Sequence, residues 1–222
     1  LTIQRPGQPA FDVEIVREII KVAGVRSRLE TDIGYIRINQ FTQHVSGRVE
    51  DAIDIIKLKA GSNLKGFVLD LRDNPGGPFD EAVYMSDSFL QRGRIVSTKG
   101  RKRETHHDAE PGDIANGLPI VIIINGGSAS AAEIVAGALR DHKRAVLVGQ
   151  KSFGKGTVQR LIPLGSRDAL RLTTATYHTP SGSSVEGGIE PDVKVILDEN
   201  RDGDEQLERA IQTVRELYRS RS

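Results

Sequence analysis

Pro119-Ile120-Val121-Ile122-Ile123-Ile124-Asn125-Gly126-Gly127-Ser128-Ala129-Ser130-Ala131-Ala132-Glu133 passes from the most apolar run of the chain, through a loop of small residues, into a stretch with helical character. The apolar run reads as a strand and Ala131 to Leu139 as a closely packing helix of small residues. A tight strand-to-helix turn of this kind exposes a hydroxyl on the bend. It also aims backbone N–H groups at whatever lies beside it. Of the two serines, Ser128 reads as the better helix cap.

Beyond this segment lies Phe153-Gly154-Lys155-Gly156-Thr157-Val158-Gln159. Glycines stabilise neither strand nor helix, so Gly154 and Gly156 free the backbone around Lys155 for an unusual conformation. A serine and a lysine can make a hydrolase without histidine if the amine is neutral and close enough to take the hydroxyl proton. Desolvation among small residues favours a neutral amine. Gln159, four residues on, could orient it as an uncharged hydrogen-bond partner, where a carboxylate would hold the proton in place.

The rest of the chain supplies alternating strands and helices. Strands are expected at Thr2 to Gln4, Asp12 to Arg17, Tyr35 to Phe41, Phe67 to Leu71, Ile95 to Thr98 and Ala145 to Val148. Val158 to Leu164 and Leu170 to His178 form a β-hairpin around Gly165-Ser166-Arg167-Asp168. Helical spacing covers Val49 to Leu58, with Ser46 as its N-cap, then Glu81 to Leu90 and Asp204 to Arg219. This order implies an α/β fold with a largely parallel sheet and helical cover.

The chain has 222 residues, 37% of them hydrophobic, and a formal charge of +1. That length suits one domain, or one with a small lobe. The near-neutral balance leaves no overall electrostatic footprint for nucleic acid or an anionic membrane. The basic cluster Lys99 to Arg103 reads as a solvated loop. The absence of cysteine excludes disulfides, thiolate metal sites and a cysteine nucleophile. No apolar stretch approaches the ~18 residues of a membrane span. Leu1 in place of methionine suggests a fragment or a processed product.

Three further patterns point to other chemistry and fail at particular positions. Gly149 to Lys155 matches G-x-x-x-x-G-K, but Gly156 stands where a phosphate loop needs Ser or Thr, and strand rather than helix follows. Asp198 to Asp204 imitates half of a calcium-binding loop, but Arg209 falls where the bidentate glutamate belongs, which favours a linker capping the last helix. His106 and His107, with Asp108 and Glu110, sit in what reads as a polar loop. No metal and no cofactor is expected.

Asn125 to Glu133 and Gly149 to Gln159 resemble the serine–lysine signature of the C-terminal processing peptidases, also called tail-specific proteases. Leu71 to Gly77 resembles the family's L-R-x-N-P-G-G turn. Thr174 to Asp192, with Tyr177 to Gly182 and Gly188 to Asp192, resembles its closing blocks. The resemblance implies a crotonase/ClpP-like ββα core with a small cap lobe. It implies Ser130 as nucleophile, Lys155 as general base and Gln159 as the residue orienting the lysine. Gly76 and Ala131 match the two backbone donors of the oxyanion hole, and Asp141 falls where some members carry an important aspartate. It further implies protein substrates with apolar C-termini, a periplasmic or cell-envelope setting, and a PDZ domain in the full-length chain. Residues 1–25 would then be the connection leaving that domain and part of the cap lobe, 26–197 the protease core, and 198–222 a linker and helix. A homo-oligomer is left open. Two rivals share the fold: a catalytically silent peptide-binding module and an acyl-thioester enzyme of the crotonase type.

Overall fold

The computed structural model describes residues 1–16, 24–165, 168–197 and 203–221. The chain begins with a two-residue antiparallel pair, β1 (Thr2–Ile3) and β2 (Phe11–Asp12). Then follow β3 (Val25–Glu30), β4 (Ile33–Ile38), α1 (Val45–Ala60), β5 (Gly66–Asp70) and α2 (Phe79–Asp87). Next come β6 (Gly93–Gly100), β7 (Glu104–Ala109), β8 (Ile120–Ile124), α3 (Ala131–Asp141) and β9 (Ala145–Gly149). The last elements are β10 (Thr157–Pro163), β11 (Ala169–His178), β12 (Val193–Lys194) and α4 (Glu205–Arg219). The expected strand Asp12 to Arg17 is corrected: β2 ends at Asp12, and Val13 to Val16 are not in a strand. Arg17, the expected turn at Ser166 and Arg167, and most of the acidic loop Asp198 to Asp204 lie outside the described residues.

Two sheets organise these elements. The larger has six strands in the order β12-β9-β8-β5-β4-β3, parallel throughout except for the antiparallel β3–β4 pair. The smaller is antiparallel, in the order β10-β11-β6-β7. The unbroken apolar run of β8 has its reason in the larger sheet. Ile120, Ile122 and Ile124 pack with α1, α2 and α3 on one face, while Val121 and Ile123 pack with Ala210 and Val214 of α4 on the other. A parallel strand covered on both faces has no side that needs polar residues. Helix α4 is therefore part of the core, covering one face of the sheet, rather than an appendage after a linker.

Other local expectations are corrected as well. Helix α1 starts before Ser46, with His44 as its N-cap at φ 63°. Its first N–H groups are satisfied by another element: Glu81 of α2 accepts from His44 N at 2.7 Å and from Ser46 N and Oγ at 3.2 and 2.9 Å. Burial raises the Glu81 carboxyl, but these donors outweigh it and hold the group below its ordinary range. The polar stretch with His106 and His107 is strand β7, not a loop; His107 meets the Phe79 ring edge-on at 5.0 Å. The polar strand β3, unmarked by apolar alternation, pairs along the full length of β4.

Candidate active site

Three loops leave the carboxyl ends of the adjacent parallel strands β5, β8 and β9. That edge of a parallel sheet is where α/β folds gather their ligand-binding loops. The first loop carries Leu71 to Gly77, the second Asn125 to Ser130 and the third Gln150 to Gly156. Residues separated by long stretches of chain thus become neighbours because their strands pair.

The second loop ends at Ser130, which is the N-cap of α3; the cap is therefore Ser130 and not Ser128. Ser130 has φ 55° and ψ −114°, a conformation that costs about 1–3 kcal/mol for a residue with a Cβ and persists only where its surroundings impose it. Ser128 is fully buried and does other work. Its hydroxyl donates to Leu71 O at 2.8 Å and accepts from Asn125 N at 3.0 Å, stitching the second loop to the first. Asn125 and Asp73 add a reciprocal pair of contacts, each 2.9 Å.

Glu133, three residues into α3, ties the second loop to the third. It is wholly buried, and four donors converge on its carboxylate. Oε2 accepts the backbone N–H of Ser130 at 2.8 Å and of Lys155 at 2.9 Å. Oε1 accepts from Gly154 N at 2.7 Å and from Ser152 Oγ at 2.5 Å. Phe153 N adds a bond to Ser128 O at 2.9 Å. The third loop is thus held against the start of α3 before it enters β10. The G-x-x-x-x-G-K stretch consequently runs into a strand and not into the helix that a phosphate loop requires.

Lys155 is partly buried, as is Ser130. The glycines flanking it are there because of what lies behind them. A Cβ at Gly154, where φ is +91°, would fall 2.4 Å from Gly188 N. Among the described residues no hydrogen bond joins Ser130 Oγ to Lys155 Nζ, nor Lys155 Nζ to Gln159. Gln159 lies exposed on β10 beside a bulge at Val158/Gln159.

Gly76 closes the site from the first loop. A Cβ there, at φ +92°, would lie 2.7 Å from Ala129 O and 2.8 Å from Ser130 Cβ. Only glycine brings this backbone so near the serine. Its N–H donates to Asn74 Oδ1 at 2.9 Å. Asn74 is fully buried; its amide donates to Ile38 O at 2.7 Å and its own carbonyl accepts Ala129 N at 2.9 Å. The Ala131 N–H belongs to the first turn of α3, where a helix leaves donors without intrahelical partners.

Behind the first loop lies an ionic network. Arg72 donates to both oxygens of buried Asp70, at 3.0 and 2.6 Å, and to both oxygens of Asp204, at 2.8 and 2.7 Å. Tyr35 Oη and Arg37 complete Asp70 at 2.7 and 2.9 Å. Burial raises the Asp70 carboxyl, but the Arg72 hydrogen bonds and charge win and hold it below the usual carboxylate range; Asp204 is lowered in the same way. Asp204 also caps α4 through Leu207 N at 3.0 Å, so the helix and the Leu71–Gly77 turn share one anchor.

Sequence reasoning named Ser130, Lys155, Gly76 and Ala131, and the fold gathers all four around the three loops. It passed over Glu133 and Asn74. For Glu133 a signal was present: a serine followed three residues later by glutamate is the signature of a capping box. For Asn74 nothing but tertiary contact reveals the role. Asp141 sits at the far end of α3, about 16 Å along the helix axis from Ser130 at 1.5 Å per residue. There it accepts Ser181 N at 2.9 Å.

Comparison with known proteins identifies the family. A "Carboxy-terminal-processing protease" of Bartonella bacilliformis is 54% identical over 200 residues, covering 88% of this chain and 46% of its own length. A "Probable CtpA-like serine protease" of Staphylococcus aureus is 40% identical over 200 residues, covering 88% of this chain and 39% of its own. This chain thus spans less than half the length of these curated relatives. Among solved structures, the photosystem II D1 C-terminal processing protease superposes with a TM-score of 0.74 at 26% identity, over 90% of this chain and 55% of that one. The model of peptidase family S41 matches residues 32–195, a stretch that contains all three loops. With loops, sheet order and family model in agreement, the chain belongs to peptidase family S41.

Proposed function

We propose that this chain is the catalytic core of a serine endopeptidase that trims proteins near apolar C-termini with a Ser130–Lys155 dyad. The observation that carries the reading is the Glu133 carboxylate, whose Oε2 holds the backbone of both Ser130 and Lys155. A silent binding module would have no need of a strained serine and a lysine fixed to one buried oxygen.

In this reading Ser130 Oγ attacks the scissile carbonyl as Lys155 Nζ takes its proton. The oxyanion forms against the N–H groups of Ala131 and Gly76, each such donor worth roughly 3 kcal/mol in the transition state. Gly76 N–H must first leave Asn74 Oδ1, so substrate competes with an internal acceptor for it. Lys155, reprotonated, then gives its proton to the leaving amine, and water cleaves the acyl-enzyme. A neutral base requires a rate that rises toward alkaline pH. Gln159, on β10, would orient the Lys155 amine, a role that comes from the family resemblance.

The crotonase-like description of the core rests on the β–α units, β4–α1–β5–α2 and β8–α3–β9, laid on one parallel sheet. Preference for apolar tails, a PDZ domain elsewhere in the full-length protein and a periplasmic or cell-envelope setting come from the family resemblance. A labelled fluorophosphonate tests the central claim. It should tag Ser130 in this chain and not in Ser130→Ala; an untagged, folded chain would overturn it. Cleavage of one peptide with a free or an amidated C-terminus, by this chain and by the full-length protein, tests the tail preference and the PDZ contribution.

A further inference from the structure

The hairpin of β10 and β11 outruns the sheet it belongs to. Strand β11 pairs with β6 only from Ala175, opposite Gly100, to His178. Ala169 to Thr174 and their partners in β10 extend past the end of β6, a reach of about 20 Å at ~3.4 Å per residue. This extension is exposed on both faces. Among polar neighbours such as Arg160, Arg171 and Thr173 it nonetheless exposes four leucines: Leu161 and Leu164 are each 67% exposed, Leu170 and Leu172 each 42%. An isolated two-stranded hairpin is marginal in water, and exposed leucines on both of its faces make it more so.

The turn between β6 and β7 lies at the same end of the sheet and carries Arg101, Lys102 and Arg103. These three share a cavity of about 310 Å³ with Arg160 of β10. Among the described residues none of the four is in an ion pair; Lys99, next along β6, meets Glu104 at 3.8 Å. Asp168 is the acidic residue of the hairpin tip. Although the chain as a whole is near neutral and Lys99 to Arg103 is expected as a solvated loop, the fold thus concentrates basic residues locally into a collar behind an apolar tip.

We infer that this end of the molecule is a docking surface for an anionic phospholipid membrane, with the leucines of the β10–β11 hairpin entering the interface and the basic collar resting on the headgroups. An interface immerses both faces to about 5–10 Å, shallow enough that headgroup water still reaches the free edges of both β10 and β11. Basic residues just above that depth add attraction to anionic headgroups. The orientation places the dyad loop, which leads straight into β10, close to the bilayer surface, where the tail of a membrane-bound substrate would emerge.

The test is sedimentation of the chain with vesicles of equimolar phosphatidylcholine and phosphatidylglycerol, and with phosphatidylcholine alone. Binding is expected to the anionic vesicles and to fall with salt. The triple change Arg101→Ser, Lys102→Ser and Arg103→Ser should weaken it about 100-fold. The pair Leu161→Ser and Leu164→Ser should weaken it independently. Fluorophosphonate labelling of both variants should match the parent, reporting an intact fold apart from the membrane reading. Absence of vesicle binding, or binding indifferent to both variant sets, overturns the inference. So does a concentration-dependent dimer of the parent that the leucine changes dissolve, which would make the hairpin an interface between copies.

Discussion

Glu133 Oε2 accepts the backbone N–H of Ser130 at 2.8 Å and that of Lys155 at 2.9 Å, so one carboxylate oxygen sets the spacing of the two residues that would carry the chemistry. The bond to Ser130 is local to α3, and the bond to Lys155 crosses to the loop after β9. Replacing the oxygen disturbs both.

Glu133→Gln keeps the shape but turns an amide N–H₂ toward donors that need an acceptor. Its kcat should fall by about 100-fold, the scale of a reacting group displaced by an ångström. Unfolding should be easier as well, since each buried donor left unpaired costs about 1–3 kcal/mol. Steady-state kinetics and thermal unfolding of the same sample decide it. Parent-like kcat in Glu133→Gln would remove the carboxylate from the positioning of the dyad.

Ser130→Ala and Lys155→Ala should each reduce peptide hydrolysis by about 10⁴-fold or more, and the double variant should be hardly worse, because members of a catalytic unit are not additive. Circular dichroism should show little change in melting temperature, since neither side chain is fully buried. Losses that multiply in the double variant would mean the two residues act separately.

Gly76→Ala places a methyl group 2.8 Å from Ser130 Cβ at a backbone φ of +92°. It should cost about 1–3 kcal/mol of stability through strain. It should also lower kcat by about 10²–10³-fold, as the loss of an oxyanion donor does. A variant with reduced stability and unimpaired kcat would exclude Gly76 N–H from the transition state.

The Arg72 network predicts an acid limit. Folded Asp70 and Asp204 titrate below their unfolded value of about 3.9. Their contribution is therefore complete above that value and is lost as pH falls through the lower folded values. Stability should be flat near neutrality and decline below about pH 4. Asp204→Asn should lower stability at neutral pH and flatten that decline. Chemical denaturation across pH provides the check, and an unchanged acid slope in Asp204→Asn would refute the assignment.

Much of the fold is legible in short stretches of the chain. Ile120 to Ile124 could only be a buried strand, Ala131 to Leu139 a tightly packed helix, and the glycines around Lys155 a loop held in an unusual conformation. Composition and spacing marked Ser130 and Lys155 as a possible pair, while the roles expected of them and of Gly76 came from the family resemblance. Strand β7 and strand β3 were not legible, because their polar side chains lie at sheet edges, where pairing of the backbone, and not burial of one face, makes the strand.

What the sequence by itself determined was therefore the set of local elements and the residue types able to cleave an amide bond. Tertiary structure alone decided which of them meet. The parallel order β9-β8-β5 brings three loops from distant parts of the chain to one edge. The Glu133 carboxylate then receives donors from two of them, and Asn74 takes the Gly76 N–H. Buried polar groups must find partners wherever the fold puts them. Those partners are chosen by strand pairing across the sheet, which no local pattern of residues encodes.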